Sequence, residues 1–194
     1  MSVGRPREFD SDAVIHTAML SFWHKGYEAC SLSELIDATG LSKSSLYQSF
    51  GSKKQLFLTT LAHYCEIETK AMLDKLGESD TALQFFEDLV DSFCSKTIHH
   101  WNSGCLVANT AAELGQSDPE IAIALKSAID LFTECFVVAL SQGLEDGSIC
   151  IDRFSLDEVA SYLLISFNGL RTMVKAGMSE RHIVQAGKMI LRAL

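Results

Sequence analysis

Helix-capping signals recur along the whole of this chain while strand signals are nearly absent, and that combination confines it to an all-α fold. Asp10 can cap a first helix whose apolar positions Val14, Ile15, Ala18, Met19, Phe22 and Trp23 recur at three- and four-residue steps up to Lys25-Gly26, with Phe9 and Val14 placed as a hydrophobic staple. Ser31-Leu-Ser-Glu34 is a capping box for a short second helix that Gly40 would end, and Ser42 caps a third running to about Phe50. Ser52 with Gln55 opens a long fourth helix ending near Gly77. Further helices are expected over 80–98, 104–114 and 118–144, the last with Pro119 just inside its start. Ser155-Leu-Asp-Glu158, stapled by Phe154 and Val159, begins a helix to about Ala176, and Ser179 begins the last. About nine helices with short loops read as helical bundle packing.

Composition narrows the class further. The 194 residues, 47% hydrophobic and 21% charged, suffice for a core without staples. Six cysteines at wide spacings, without a C-x-x-C pair or a signal peptide, read as reduced thiols in a cytoplasmic protein. The longest apolar stretches fall short of the roughly 18 to 20 residues a membrane span needs, so no membrane partner is expected. No Gly-rich phosphate loop, H-E-x-x-H or nucleophile elbow is present, and Ser44 and Ser45 lack a nearby base, so no enzymatic activity and no cofactor are expected. The net charge of −9 argues at first against a nucleic-acid partner, but it is unevenly spread. Residues 1–64 carry six Lys/Arg and six Asp/Glu, and residues 65–194 carry ten and nineteen.

The most informative stretch is 31–50: a short helix, the turn Gly40-Leu41-Ser42, and a second short helix, which is helix-turn-helix spacing. Leu35, Leu41, Leu46 and Phe50 would lock the pair inward. The remaining face of the third helix offers Lys43, Ser44, Ser45, Tyr47, Gln48 and Ser49, donors with no acid among them. In a major groove, small hydroxyls allow close approach and Gln can bond an adenine edge, so Lys43 and Gln48 are the sequence-reading candidates. Tyr47 can reach a phosphate, Lys53 and Lys54 sit at the N-terminus of the fourth helix, where an anion is favoured, and Arg5 and Arg7 form a basic arm ahead of the first. A plain αα-hairpin with solvating Lys and Ser stays open on spacing alone.

Residues 4–64 resemble the N-terminal domain of the TetR/AcrR family of bacterial transcriptional regulators. The resemblance is carried by Gly4-Arg-Pro-Arg7, Ala18-x-x-x-Phe22-x-x-x-Gly26-Tyr27, Ser31-Leu-x-Glu34-Leu, Gly40-Leu-Ser42, Leu46-Tyr47-x-x-Phe50 and Lys53-x-x-Leu56-Phe57. It departs from the family at Ser49, where His is frequent, at Cys30, where Thr is, and at Ile36, where Ala is. The resemblance implies a three-helix DNA-binding domain over 1–64, with Ser31 added to the contacts named above, and a larger helical ligand-binding and dimerisation domain over 65–194. It implies a dimeric repressor on a palindromic operator in double-stranded DNA, released by a small-molecule inducer. The competing reading is a thiol-based electrophile or oxidant sensor, or a small-molecule-binding helical protein without operator binding.

In the second domain, Phe86, Phe93, Trp101, Phe132, Phe136, Phe167 and Met173 are candidates for a ligand cavity, with His100, Asn109 and Glu113 as polar anchors. Singly, each of these also reads as core. Cys105, following Gly104 near a helix start, is a pocket candidate and a candidate redox sensor, where the helix dipole would lower its pKa. Cys94, His99, His100 and Cys105 do not make a metal site, because Cys94 and His99 point to different faces of a regular helix. The eighth helix offers Leu156, Val159, Leu163, Leu164, Phe167 and Leu170, and the ninth Ile183, Gly187, Ile190, Leu191 and Leu194. A homodimer seam is expected through Leu163, Phe167, Leu170, Gly187, Ile190 and Leu191, with Gly187 permitting close helix approach.

Overall fold

A computed structural model describes residues 10–93, 103–115 and 117–194. Among them are nine α-helices and no strand: α1 (Ser11–Lys25), α2 (Leu32–Thr39), α3 (Lys43–Phe50), α4 (Lys53–Glu78), α5 (Ala82–Ser92), α6 (Leu106–Glu113), α7 (Pro119–Asp146), α8 (Leu156–Lys175) and α9 (Glu180–Leu191). The chain forms two compact units, one through His63 and one from Tyr64 onward.

The first unit is built by its caps. The Asp10 carboxylate accepts from the amides of Asp12 and Ala13 to start α1. Ser31 and Glu34 complete a reciprocal capping box at α2, and Gly40, at φ 69°, ends it in the left-handed region. The Ser42 hydroxyl accepts from the Ser45 amide to start α3 only two residues later. The two short helices are thereby forced to change direction sharply, and Leu35, Leu41 and Leu46 close the angle from inside. Phe22 of α1 meets Phe57 of α4 edge-on, with ring centroids 4.9 Å apart.

The second unit has its core between α5, α7, α8 and α9, with Phe86, Phe136 and Phe167 stacked nearly parallel at its centre. Here α5 starts later than the predicted residue 80. Thr81 is its N-cap, and the turn after α7 caps it a second time: the Ala82 amide donates to Asp146 at 2.9 Å and the Leu83 amide to the Ser148 hydroxyl at 3.2 Å. Bonds from the Ser148 hydroxyl and from the Ala82 and Ser148 amides hold the Asp146 carboxyl below its ordinary pKa. That cap comes from 64 residues away, beyond the reach of a local pattern. The expected end of α5 at 98 falls among 94–102, outside the described residues, as does the Phe9 half of the first staple. Phe154 is 65% exposed, so the second staple is not closed over Val159.

The predicted dimer seam is corrected. Leu163, Phe167, Leu170 and Ile190 are buried in the protomer's own core, and Leu191 packs half-buried against it. Gly187 does permit a close approach, but to α5 of the same chain: a Cβ there would lie 2.3 Å from Val90 Cγ1. The apolar stripe of α8 that stays exposed is a third of a turn away and comprises Tyr162, Ile165 and Met173 with Gly169 among them; on α9, Met189 is the exposed counterpart. Gly→Ala in a helix ordinarily stabilises by up to about 1 kcal/mol. Gly187→Ala is expected to do the reverse, lowering stability by about 1–3 kcal/mol through overpacking. Adding Val90→Ala should recover part of the loss relative to Val90→Ala alone, as read from denaturant midpoints.

Candidate functional site

The outward side of α3 carries the first candidate site. Lys43, Ser44, Tyr47, Gln48 and Ser49 are exposed, Ser45 is half-buried, and Leu46 faces fully inward. The Ser42 hydroxyl lies 2.9 Å from that of Ser44 and 2.8 Å from that of Ser45, a cluster of three hydroxyls over the open N-terminus of the helix. Small side chains there leave the backbone close to whatever approaches it. The surface combines a helix N-terminus, hydroxyls, an amide and an ammonium without a carboxylate, which suits an anionic, groove-bearing partner.

The flanks support this face. Lys53 Nζ sits 4.4 Å from the centre of the Tyr27 ring, a cation–π contact, and Tyr27 is itself set against Phe57 at 4.9 Å and stacked on Phe22 at 6.1 Å. An ammonium resting on a ring still has N–H groups directed away from it, so Lys53 is fixed in place at the start of α4 while able to donate to a phosphate. Lys54 is half-buried beside it. Ser31 is placed otherwise: its one O–H donates to Glu34 Oε2 at 2.9 Å and its amide to the same atom at 2.8 Å, leaving no hydroxyl proton for a phosphate. Arg5 and Arg7 lie outside the described residues.

Glu34 ties this region together. It also pairs with Lys25, at the end of α1. That hydrogen bond, with those from the Ser31 amide and hydroxyl, pulls the carboxyl down to about 2 from 4.5. A depressed pKa contributes stability that is complete above the unfolded value, about 4.5, and lost as pH falls through about 2. The Tm gap between the wild type and Glu34→Gln is therefore expected to be constant above pH 4.5 and to close between pH 4.5 and 2, as followed by thermal melts across that range.

A cavity in the second unit is the other candidate. It encloses about 590 Å³ including its open mouth, and its wall is formed by Glu68, Met72, Leu89, Phe93, Cys105, Val107, Ile129, Phe132, Phe136, Leu164, Phe167, Asn168 and Arg171. Of the predicted lining residues, Phe93, Cys105, Phe132, Phe136 and Phe167 are there. Phe86 instead stands behind Phe136 and Phe167, stacked on both. Asn109 is occupied elsewhere, donating to the Ser103 carbonyl at 2.8 Å and accepting from Lys175 Nζ at 3.1 Å. Met173 and Glu113 are exposed, while His100 and Trp101 lie outside the described residues.

The polar end of the cavity escaped the sequence reading. Arg171 Nη2 donates to Glu68 Oε2 at 3.0 Å, and the two side chains are only 11% and 25% exposed. Burial opposes the Arg171 charge, but Tyr64, Cys105 and Glu68 around it outweigh that and hold its pKa above the ordinary value. Burial, with Cys105 and Glu68 beside it, pushes the Cys65 thiol up to about 12, and burial above all raises the Tyr64 hydroxyl well beyond its usual value. Both are therefore protonated at neutral pH. The Glu68–Arg171 pair spans 103 residues, and no local signal announces it. Cys105 is buried on this wall as the N-cap of α6, a position it fills with its backbone and not with a side-chain hydrogen bond.

Among the described residues no group of three His, Cys, Asp or Glu is arranged to hold a metal, and no helix is long and apolar enough to cross a membrane.

Comparison with known proteins follows the same division. Residues 14–60 match the family model for bacterial regulatory proteins, tetR family, and residues 82–190 match that for the tetracyclin repressor-like C-terminal domain. The chain is 29% identical to the HTH-type transcriptional repressor ComR of Escherichia coli (strain K12), over 98% of this chain and 91% of that protein. It is also 29% identical to the TetR family transcriptional regulator CifR, solved as a cysteine mutant in complex with 26 bp double-strand operator DNA, with a TM-score of 0.80 over 97% of this chain and 99% of that one. The reduced form of E. coli NemR shares the fold at 17% identity, with a TM-score of 0.82 over 93% of this chain and 95% of that one.

Proposed function

The chain belongs to the TetR family of bacterial transcriptional regulators, and from that premise we propose that it is a repressor that binds a palindromic operator as a homodimer and lets go when a small molecule enters the cavity of its second unit. The observation that carries this reading is the acid-free donor face of α3, held outward by the caps at Ser31, Gly40 and Ser42. Lys43 and Gln48 read base edges, Ser44, Ser45 and Tyr47 fit the helix against the backbone, and Lys53 with Lys54 takes a phosphate. Repression in place of activation is supported by the name of the relative ComR, a transcriptional repressor. The site of action is the cytoplasm, where bacterial DNA lies.

Pairing is assigned to the exposed stripe of α8, Tyr162, Ile165, Gly169 and Met173, together with Met189 of α9. Ile165 is 72% exposed, and a C₂ axis through this stripe would bury it against its own copy. Gly169 has open space where a Cβ would stand, so two helices can cross closely there. The acidic second unit lends the duplex no attraction, and at a Debye length of about 8 Å DNA responds to the local charge of α3 and its flanks.

The experiment is a salt-titrated binding measurement by fluorescence anisotropy, on a duplex selected by the protein from genomic fragments. Log affinity is expected to fall linearly with log salt. Lys53→Ala should weaken binding to all sequences and reduce the salt slope by about 1, whereas Lys43→Ala and Gln48→Ala should change the preferred sequence. A flat salt response, or variants of α3 that leave both affinity and preference untouched, contradicts the proposal.

A further inference from the structure

The cavity has walls of one character and an end of another. Phe93, Phe132, Phe136 and Phe167 give it a flat-sided apolar interior, with the Phe136 and Phe167 rings inclined by only 10°. At the polar end the two charged side chains of the described wall, Glu68 and Arg171, are already joined at 3.0 Å. An anionic ligand could gain only by drawing Arg171 away from Glu68, and a cationic one only by drawing Glu68 away from Arg171. Either would bring a third, uncompensated charge into a largely apolar space and lose its hydration on entry.

A neutral hydroxyl meets no such obstacle. It can donate to the Glu68 carboxylate and accept from the Arg171 guanidinium without separating them. Asn168, whose amide N–H donates to the Leu164 carbonyl at 3.0 Å, presents a further polar group on the same wall. Resting on the assignment of this cavity as the inducer site, we infer that its ligand class is uncharged, compact and aromatic-sized, with a single hydroxyl-type head seated on the Glu68–Arg171 pair. The ion pair then acts as a charge filter: it supplies hydrogen bonds to the head while offering no net charge to an ion.

The test uses three probes of nearly equal shape on the full chain: benzyl alcohol, benzoate and benzylammonium, with binding measured by calorimetry at neutral pH. Benzyl alcohol is expected to bind at least about tenfold more tightly than either ion. Ile129→Trp, which fills the wall from a position that is 45% exposed and so leaves the core intact, should weaken that binding. Glu68→Gln leaves Arg171 uncompensated and should move the preference to benzoate. Should this variant fail to fold, the wild-type ranking decides alone. If either ion binds as tightly as benzyl alcohol and Ile129→Trp weakens both, the cavity holds ligands but the inferred class is wrong. If none of the probes binds, or Ile129→Trp leaves binding unchanged, both the class and the assignment of the cavity are overturned.

Discussion

The short distance between two helix caps governs the first unit. Gly40 ends α2 in a left-handed conformation and the Ser42 hydroxyl begins α3 two residues on, so the backbone has no slack with which to lay the helices end to end. Leu35 and Leu46, both fully buried, then hold the resulting angle. Everything the unit offers a partner follows from this. With Leu46 turned inward, Lys43, Tyr47 and Gln48 are carried outward on the opposite side, and the N-terminus of α3 lies beneath three serine hydroxyls, that of Ser42 capping the Ser45 amide. The cap at the other end of α2 has a second task, since Glu34 both closes the box with Ser31 and pairs with Lys25 of α1.

In the second unit one helix serves two surfaces. The buried side of α8 brings Leu163, Phe167 and Leu170 into the core and Phe167 to the cavity wall. Its far side leaves Tyr162, Ile165 and Met173 in solvent. Arg171, on the cavity side and roughly opposite that stripe, supplies the polar end of the cavity. A ligand against Phe167 and Arg171 thus touches the helix to which pairing is assigned, which gives an inducer a physical means of changing the pairing geometry. Such a switch needs only different affinities for two arrangements, a coupling of about 1–3 kcal/mol.

What could be read from the residues was what short-range chemistry dictates. The capping boxes at Ser31 and Ser155, the glycine stop at Gly40, the cap at Ser42 and the inward Leu35, Leu41 and Leu46 are all written within a few residues of one another. Where the outcome depended on distant partners, the sequence was silent or misleading. Leu163, Phe167 and Gly187 look like a seam because they are apolar or small at helical spacing. The close approach of Val90 is what turns Gly187 into an internal contact. Likewise α5 takes a cap from Asp146, Phe86 falls behind the cavity, and Glu68 meets Arg171 across 103 residues. Two apolar stripes on one helix cannot be ranked by periodicity alone, because burial against α5 and α7 decides between them.

The most direct test of the central claim, that a pair of α3 helices reads a two-fold operator, is hydroxyl-radical footprinting of the selected duplex with the wild type and with Ile165→Asp. The wild type should protect two half-sites on one face of an approximate palindrome, centred about 34–36 Å apart. Ile165→Asp, a charge placed at the exposed stripe, should abolish the paired protection. A single protected half-site with the wild type, or an unchanged paired footprint with Ile165→Asp, would contradict the account.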